Sequence, residues 1–394
     1  MSARTGTNRL RLALVLGALS AFGPITTDLY LPSLPEAASD LHASQPQIQV
    51  TLTTCLVGLA LGQLFIGPLS DAVGRRRPML GGVAVFVVAS LLCALAPTVY
   101  LLDAFRLIQG LAGSAGVVLS LAIVRDLYSG VDAAKLISSL MAVGGIAPIL
   151  APVAGAQLLR VMDWRGLFYV LAGTGVVLLG AAWRWIPESL PAARRAELRL
   201  NHLAEAVGTL SRDPRFVCLS IAGAFAFATL FSYISTSPFV FQDGYGFTEA
   251  QFGILFAANS AGLLCVNLAG GRLLGRVSPT ATLRVALAAM TAACVAMLVA
   301  SVTLGMWGVI VCLFLSVMWV PLTLATLAAL ALDDHGDVAG TASALLGALR
   351  FAVGGIAGAV AGLGGADPTA LAVAMLACSV VAVVAFLIAR RTGS

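Results

Sequence analysis

Charged side chains inside long apolar runs are the residues of this sequence that could do chemistry. Asp28, Arg106 and Arg350 each lie within or near the end of such a run. An ionised side chain in hydrocarbon costs ~3 kcal/mol or more, so residues of this kind are candidates for a functional site. A carboxylate placed there can take up and release a proton, and an arginine can bind an anion or regulate the carboxylate.

The composition assigns these runs to a membrane protein. Of the 394 residues, 59% are hydrophobic and only 10% are charged, and the mean hydropathy is +0.98. Soluble domains carry ~25% charged residues, so this chain has too few charges to cover a soluble surface. The runs do not alternate polar and apolar residues, which argues against a transmembrane barrel. The sequence therefore predicts an all-α membrane protein.

Twelve apolar runs are long enough to cross ~30 Å of hydrocarbon as helices. The first is too long for a signal-peptide core and no cleavage pattern follows it, so we expect it to remain as a span. Short connections predict that successive helices are antiparallel neighbours. The predicted spans cover residues 10–33, 47–69, 79–97, 101–124, 135–159, 166–186, 215–237, 250–270, 282–302, 306–330, 339–363 and 369–389.

Basic residues indicate the orientation of these spans. Arg75, Arg76 and Arg77 follow the second run, on the side that holds most of the arginines, whereas the opposite loops hold only Arg160 and Arg165. Because cytoplasmic loops carry an excess of Lys and Arg, both termini are predicted to be cytoplasmic. The formal net charge of +5 is then explained by basic residues at helix ends, near the lipid headgroups. We therefore expect no nucleic-acid partner.

A polar segment divides the runs into two sets of six. We predict an N-terminal six-helix bundle at residues 1–187, a cytoplasmic linker at 188–214 and a C-terminal six-helix bundle at 215–394. Two equal halves indicate an internal repeat. The seven cysteines all fall inside apolar runs without disulfide or metal spacing, so we predict packing roles for them and no metal site.

Four motifs suggest a family. They are residues 67–76 (GPLSDAVGRR), 106–110 (RLIQG), 147–156 (APILAPVAGA) and 28–35 (DLYLPSLP). In this order they resemble the signature loop of the major facilitator superfamily, the R-x-x-Q-G and G-P-x-x-G-G motifs of drug:proton antiporters, and the D-x-Y-L-P-x-x-P of the bicyclomycin and chloramphenicol resistance (Bcr/CflA) branch. Two glycines of the G-P-x-x-G-G motif are alanines here.

The resemblance covers the whole chain and implies both architecture and activity. It implies two six-helix bundles around a central cavity, in a monomer of the bacterial cytoplasmic (inner) membrane. It further implies proton-coupled export of small, mostly uncharged or zwitterionic drugs. The expected partners are a drug, protons and the lipid bilayer, and no cofactor is expected because the proton gradient drives transport.

Asp28 and Arg106 are the predicted proton-coupling pair. Asp28 lies 17 residues after Arg11, about 25 Å along a helix, and Arg106 lies near the outer end of the oppositely directed fourth span, at a similar depth. Burial raises the proton affinity of a carboxylate and a nearby arginine lowers it. Movement of the arginine relative to the carboxylate can therefore couple proton exchange to conformation. The alternatives are an acid that merely ends its helix and an Arg106 that pairs with Asp103.

The signature loop is predicted to act as a conformational latch. The resemblance implies that Asp71 faces the start of the eleventh span, where free N–H groups favour a carboxylate. Gly74 permits a tight turn, and Arg75 can pair with the acid or with lipid phosphate. In the fifth span the antiporter motif supplies Pro148, Pro152 and Gly155. The glycine pair Gly144–Gly145 and the two prolines allow close packing and bending of this span.

Aromatic and polar side chains in the spans are candidates for the drug site, because such sites are apolar with few polar groups. Arg350 lies near the membrane midplane and is predicted to contribute to the site or, alternatively, to bind backbone carbonyls. The predicted substrate-binding residues are Tyr30, Phe231, Tyr233, Asn259, Trp319 and Arg350.

Two other functional classes were weighed against drug export. A metabolite or nutrient transporter of the same fold stays open, because the antiporter motif is incomplete. A membrane enzyme or receptor has no support, since the sequence contains no Walker A loop, no H-E-x-x-H and no histidine in any predicted span. We therefore predict that the protein is not an enzyme.

Overall fold

The computed structural model describes residues 2–195, 207–273, 278–333 and 339–392. Within these ranges the regular structure is helical, without strands. The helices are α1 (Ser2–Ser20), α2 (Phe22–Asp28), α3 (Leu34–Asp40), α4 (Gln45–Val73), α5 (Arg76–Ala94), α6 (Val99–Leu127), α7 (Gly130–Leu158), α8 (Trp164–Trp185), α9 (Pro214–Pro238), α10 (Glu249–Leu273), α11 (Pro279–Thr303), α12 (Gly305–Val317), α13 (Val320–Leu332), α14 (Ala339–Gly362) and α15 (Pro368–Thr392).

The helices match the predicted number of spans. Among the described residues, 11 helices are long and apolar enough to cross a membrane, or up to 12 if the bent pair at the N-terminus counts as one span. That pair bends by 46° between Ser20 and Phe22. The break lies one turn before Pro24, because a proline has no N–H to donate to the carbonyl of residue 20. The predicted tenth span is divided into α12 and α13.

The second span corrects one prediction about the signature loop. Helix α4 continues to Val73, so Asp71 lies in its last turn and not in the loop between spans. The Gly74 N–H bonds to the Ser70 carbonyl at 3.0 Å, and Gly74 has φ +98°. A glycine in this left-handed conformation is a common way to end a helix, and it ends α4 four residues beyond the predicted edge.

The structure forms two compact units. The first comprises Met1–Ser33 and Thr54–Leu198, and the second comprises Leu34–Thr53 and Arg199–Ser394. The predicted linker at 188–214 lies partly outside the described residues, and the predicted domain division stays a prediction.

Each unit has its own packed core. In the first, α1, α5, α6 and α8 meet around Leu19 and Leu119, and the Phe22 and Phe86 rings stack at 4.4 Å. In the second, α9, α11 and α15 meet around Phe216, Met290 and Phe386. Because lipid is as apolar as these side chains, close packing and interhelical hydrogen bonds must hold such helices together.

A polar stripe on α4 supplies interhelical hydrogen bonds in the second unit. Gln45, Gln49 and Thr53 are four residues apart, so they share one face of the helix. Each donates to a backbone carbonyl of the C-terminal helices and their ends: Gln45 Nε2 to Gly365 at 3.3 Å, Gln49 Nε2 to Ser235 at 2.9 Å and Thr53 Oγ1 to Gly355 at 3.3 Å.

Candidate functional site

Arg106 is fully buried in the first unit and binds the backbone of the first span. Its Nη1 donates to the Thr26 carbonyl at 3.0 Å and to Gln109 Oε1 at 2.8 Å. Gln109 in turn donates from Nε2 to Ser90 Oγ at 2.8 Å. The three-residue spacing in R-x-x-Q puts both side chains on one face of α6, so the glutamine holds the arginine in place.

Aromatic rings enclose the Arg106 guanidinium. Its central carbon lies 5.3 Å from the Tyr30 ring centroid and 5.6 Å from that of Phe168. Tyr30 is fully buried and packs against Phe168 at 5.2 Å and Trp164 at 6.5 Å. A cation between ring faces is stabilised by the ring quadrupoles. Tyr30, a predicted drug contact, therefore supports the arginine in this structure.

The glycine of the R-x-x-Q-G motif permits close helix packing. A Cβ at Gly110 would overlap the Cys55 carbonyl, and a Cβ at Gly58 would overlap the Leu107 carbonyl. Helices α4 and α6 thus approach to backbone contact, which only glycine allows. The motif therefore combines Arg106, which binds the first span, with Gly110, which lets α6 contact the backbone of α4.

Asp28 lies at the end of α2 and is 7% exposed. Its Oδ1 accepts from the Thr27 hydroxyl at 3.0 Å. Within the described residues, Asp28 makes no ion pair with Arg106, which binds the carbonyl two residues before it. Asp103 likewise makes no ion pair with Arg106 there, and its Oδ1 is buried without a hydrogen bond. The structure thus brings the predicted pair to one stretch of α2 without direct contact.

The antiporter motif lies against the same stretch. Pro148 and Pro152 are inside α7, and a Cβ at Gly155 would overlap the Leu29 carbonyl. The glycine therefore lets α7 contact the backbone next to Asp28. A groove of ≈ 410 Å³ runs between the first span and α7, and its lining includes Ile25, Leu29, Ile146, Ala147, Leu150 and Ala151.

Arg350 lies among phenylalanines in the second unit. Its guanidinium carbon is 5.4 Å from the Phe227 ring centroid and 5.0 Å from that of Phe351. Phe227 also stacks on Phe231 at 5.9 Å. The Nε atom of Arg350 is buried, and within the described residues it has no hydrogen-bond partner.

The other predicted drug contacts in the second unit lie elsewhere. Asn259 Nδ2 donates to the Tyr233 hydroxyl at 2.9 Å, and both side chains are buried. Tyr233 stacks on Phe256 at 5.4 Å. Trp319 lies at the break between α12 and α13, where its carbonyl accepts from Thr323 Oγ1 at 2.9 Å. The roles of these residues in drug binding stay predictions.

Arg75 is the centre of a charged cluster in the first unit. Its Nη1 lies 2.6 Å from Asp71 Oδ1 and donates to Ser70 Oγ at 2.6 Å, while its Nε donates to Asp126 Oδ2 at 3.0 Å. Burial opposes the charged form, but the hydrogen bond to Asp126 and the charge of Asp71 outweigh it and raise the pKa of Arg75. Asp71 and Arg75 form an ion pair within the first unit, and the latch against the eleventh span stays a prediction.

Glu188 completes this cluster from the end of the sixth span. Its carboxylate accepts from the backbone N–H of Arg75 at 2.8 Å, of Arg76 at 3.3 Å and of Leu190 at 3.1 Å. Partial burial opposes its ionisation, but these hydrogen bonds outweigh the burial and lower the pKa of Glu188. A Cβ at Gly74 would stand 2.5 Å from Glu188 Oε2.

Two members of this cluster were missed by sequence reasoning. Asp126 follows Arg125 at the end of α6, and Glu188 follows a proline after α8. Both are acids on the side of the membrane that holds most of the arginines. An acid among so many arginines was the sequence feature that could have identified them. The described residues contain no cluster of His, Cys, Asp and Glu that could hold a metal ion.

Comparison with known proteins agrees with this fold. The model of the Major Facilitator Superfamily matches residues 14–359. The uncharacterized MFS-type transporter YdgK of Bacillus subtilis is 36% identical over 97% of this chain and 96% of its own. A bicyclomycin resistance protein homolog of Haemophilus influenzae is 34% identical over 95% and 94%. The nucleoside transporter NupG has the same fold, with a TM-score of 0.77, 13% identity and coverage of 98% and 100%.

These matches extend over nearly the whole chain, as the sequence motifs do. The family consists of membrane transporters and not of enzymes. The chain therefore belongs to the major facilitator superfamily and, as its motifs predicted, to the branch that includes bicyclomycin resistance proteins.

Proposed function

We propose that this protein exports small-molecule drugs, of the bicyclomycin or chloramphenicol type, in exchange for protons. The observation that carries the proposal is the buried Asp28 carboxylate. It lies two residues after Thr26, whose carbonyl accepts a hydrogen bond from Arg106. A buried carboxylate near a mobile countercharge is the simplest proton carrier that a helical transporter can contain. The resistance protein among its relatives supports a drug as the exported substrate.

Coupling requires Arg106 to act differently on Asp28 in two conformations. When the guanidinium binds the Thr26 carbonyl, the carboxylate can hold a proton, with the Thr27 hydroxyl beside it. When the guanidinium moves onto the carboxylate, it favours the ionised form and the proton leaves. In the first of these two states, Gln109 and the Tyr30 ring also contact the arginine.

Alternating access would connect this proton step to drug movement. The prolines and Gly155 of α7 allow that helix to bend beside Asp28. The cluster around Arg75 would stabilise one conformation at the cytoplasmic side until a proton or a drug molecule binds or leaves. We place both termini in the cytoplasm and the protein in the bacterial inner membrane, acting as a monomer with lipid, drug and protons as partners.

Everted membrane vesicles test the proposal. Respiration acidifies their lumen, and a pH-sensitive dye reports the lumenal pH. Adding a drug that the protein exchanges for protons should raise the lumenal pH, and vesicles that lack the protein should not respond. If no drug in a panel that includes chloramphenicol and bicyclomycin causes a protein-dependent change in lumenal pH, the proposal is contradicted. A drug-dependent fall in pH would instead indicate a symporter, the metabolite-uptake alternative.

A further inference from the structure

Arg350 forms no ion pair with any residue that the structure describes. It lies 11 residues after the start of α14, about 17 Å along a helix that crosses a ~30 Å hydrocarbon layer, and so near the midplane. The acids of the described part of this unit lie at or near helix ends. They are Glu36, Asp40, Asp213, Asp243, Glu249, Asp333 and Asp367.

The contacts of Arg350 satisfy its charge only in part. The Phe227 and Phe351 rings contact the guanidinium and stabilise a cation, but they accept no conventional hydrogen bond. A guanidinium carries five N–H donors in a planar fork, and among the described residues the buried Nε of Arg350 has no hydrogen-bond partner. The rings therefore flank the arginine while its Nε donor stays available.

We propose that Arg350, flanked by Phe227 and Phe351, binds the anionic end of the transported molecule. The matching group is a carboxylate or a similar oxyanion, which accepts two parallel N–H bonds from the guanidinium fork. The neighbouring Phe231 ring, stacked on Phe227, offers an apolar surface to an aromatic or apolar body. The site thus adds small aromatic acids and zwitterions to the neutral drugs of the chloramphenicol and bicyclomycin type, which carry no anionic group. This inference rests on the proposed transport of small molecules.

Binding of matched probes to the purified full-length protein tests this site. Four aromatic acids are compared with their primary amides: 4-nitrobenzoate, 1-naphthoate, biphenyl-4-carboxylate and nalidixate. Affinity is measured by calorimetry in detergent without a proton gradient. At least one acid should bind about tenfold more tightly than its amide, the effect of roughly one charge-assisted hydrogen bond.

Three variants show whether Arg350 is responsible. Arg350→Gln should abolish the preference for the acid, and Arg350→Lys should keep part of it, because lysine keeps the charge but loses the fork. Arg284→Gln, which changes an exposed arginine of the same unit, should leave the preference unchanged. A wild-type protein with no preference for any acid, or a preference that survives in Arg350→Gln, would overturn the inference.

The outcome is separable from that of the efflux proposal. Acid preference without a drug-dependent pH change in vesicles would keep this binding site and reject proton-coupled export. Proton-coupled export of neutral drugs by a protein that shows no acid preference would keep export and reject this site. If Arg350→Gln does not yield folded protein, the loss of affinity in Arg350→Lys relative to wild type decides the question.

Discussion

Replacing Gly74 by alanine should destabilise the charged cluster of the first unit. Alanine at φ +98° costs about 1–2 kcal/mol, because its Cβ approaches the following carbonyl. The same Cβ would stand 2.5 Å from Glu188 Oε2, so the carboxylate must leave the Arg75 N–H that it binds at 2.8 Å. A lost hydrogen bond to a charged group costs about 1.5–3 kcal/mol. Together we expect a loss of about 3–5 kcal/mol in the free energy of unfolding.

Thermal unfolding of the purified protein in detergent measures this effect. The midpoint for Gly74→Ala should fall by about 4–6 °C relative to wild type. The matched control is Gly81→Ala in α5, where an added Cβ meets no atom within 4 Å. In a helix interior this control should be neutral or raise stability by up to about 1 kcal/mol. Equal midpoints for Gly74→Ala and Gly81→Ala would refute the proposed role of the turn.

Three further predictions concern the helix contact and the charged cluster. Gly110→Ala should prevent recovery of folded protein by size-exclusion chromatography, because its Cβ overlaps the Cys55 carbonyl, and a normal elution profile would contradict this. Glu188→Gln should lower the unfolding midpoint at neutral pH. Folding lowers the pKa of Glu188, so its ionised form stabilises the folded protein at pH values above the ordinary pKa of 4.5. The difference in midpoint between Glu188→Gln and wild type should therefore vanish as the pH falls through the lowered pKa. A midpoint difference that does not depend on pH would be inconsistent with that account. Asp71→Asn should slow transport in vesicles while calorimetry finds drug affinity unchanged, and loss of affinity would exclude a purely gating role.

The spans and the family were predictable because they depend on local features. Apolar length determines whether a helix can cross the bilayer, and the motifs are contiguous in the chain. The bond from Arg106 to Gln109, three residues later on the same helix face, is a local contact of this kind, although the sequence analysis did not predict it. The spans and the motifs are therefore features that can be read from short stretches of the sequence.

The remaining features depend on contacts between distant residues. Glu188 binds the backbone of Arg75 across 113 residues of sequence, and no local pattern specifies that pairing. The helical position of Asp71 follows from the left-handed conformation of Gly74, which the sequence permits but does not require. Arg106 binds a backbone carbonyl, an acceptor that every residue offers and that no side-chain pattern identifies.

The central claim is that Asp28 carries the exchanged proton. The most direct measurement compares wild type, Asp28→Asn and Asp333→Asn in proteoliposomes, with an exposed aspartate as the control. For a drug that wild type transports, an imposed pH gradient drives uphill movement, and isotope exchange without a gradient reports binding and alternation. We predict that Asp28→Asn retains exchange but loses uphill movement, whereas Asp333→Asn retains both. Undiminished gradient-driven transport by Asp28→Asn would contradict the account.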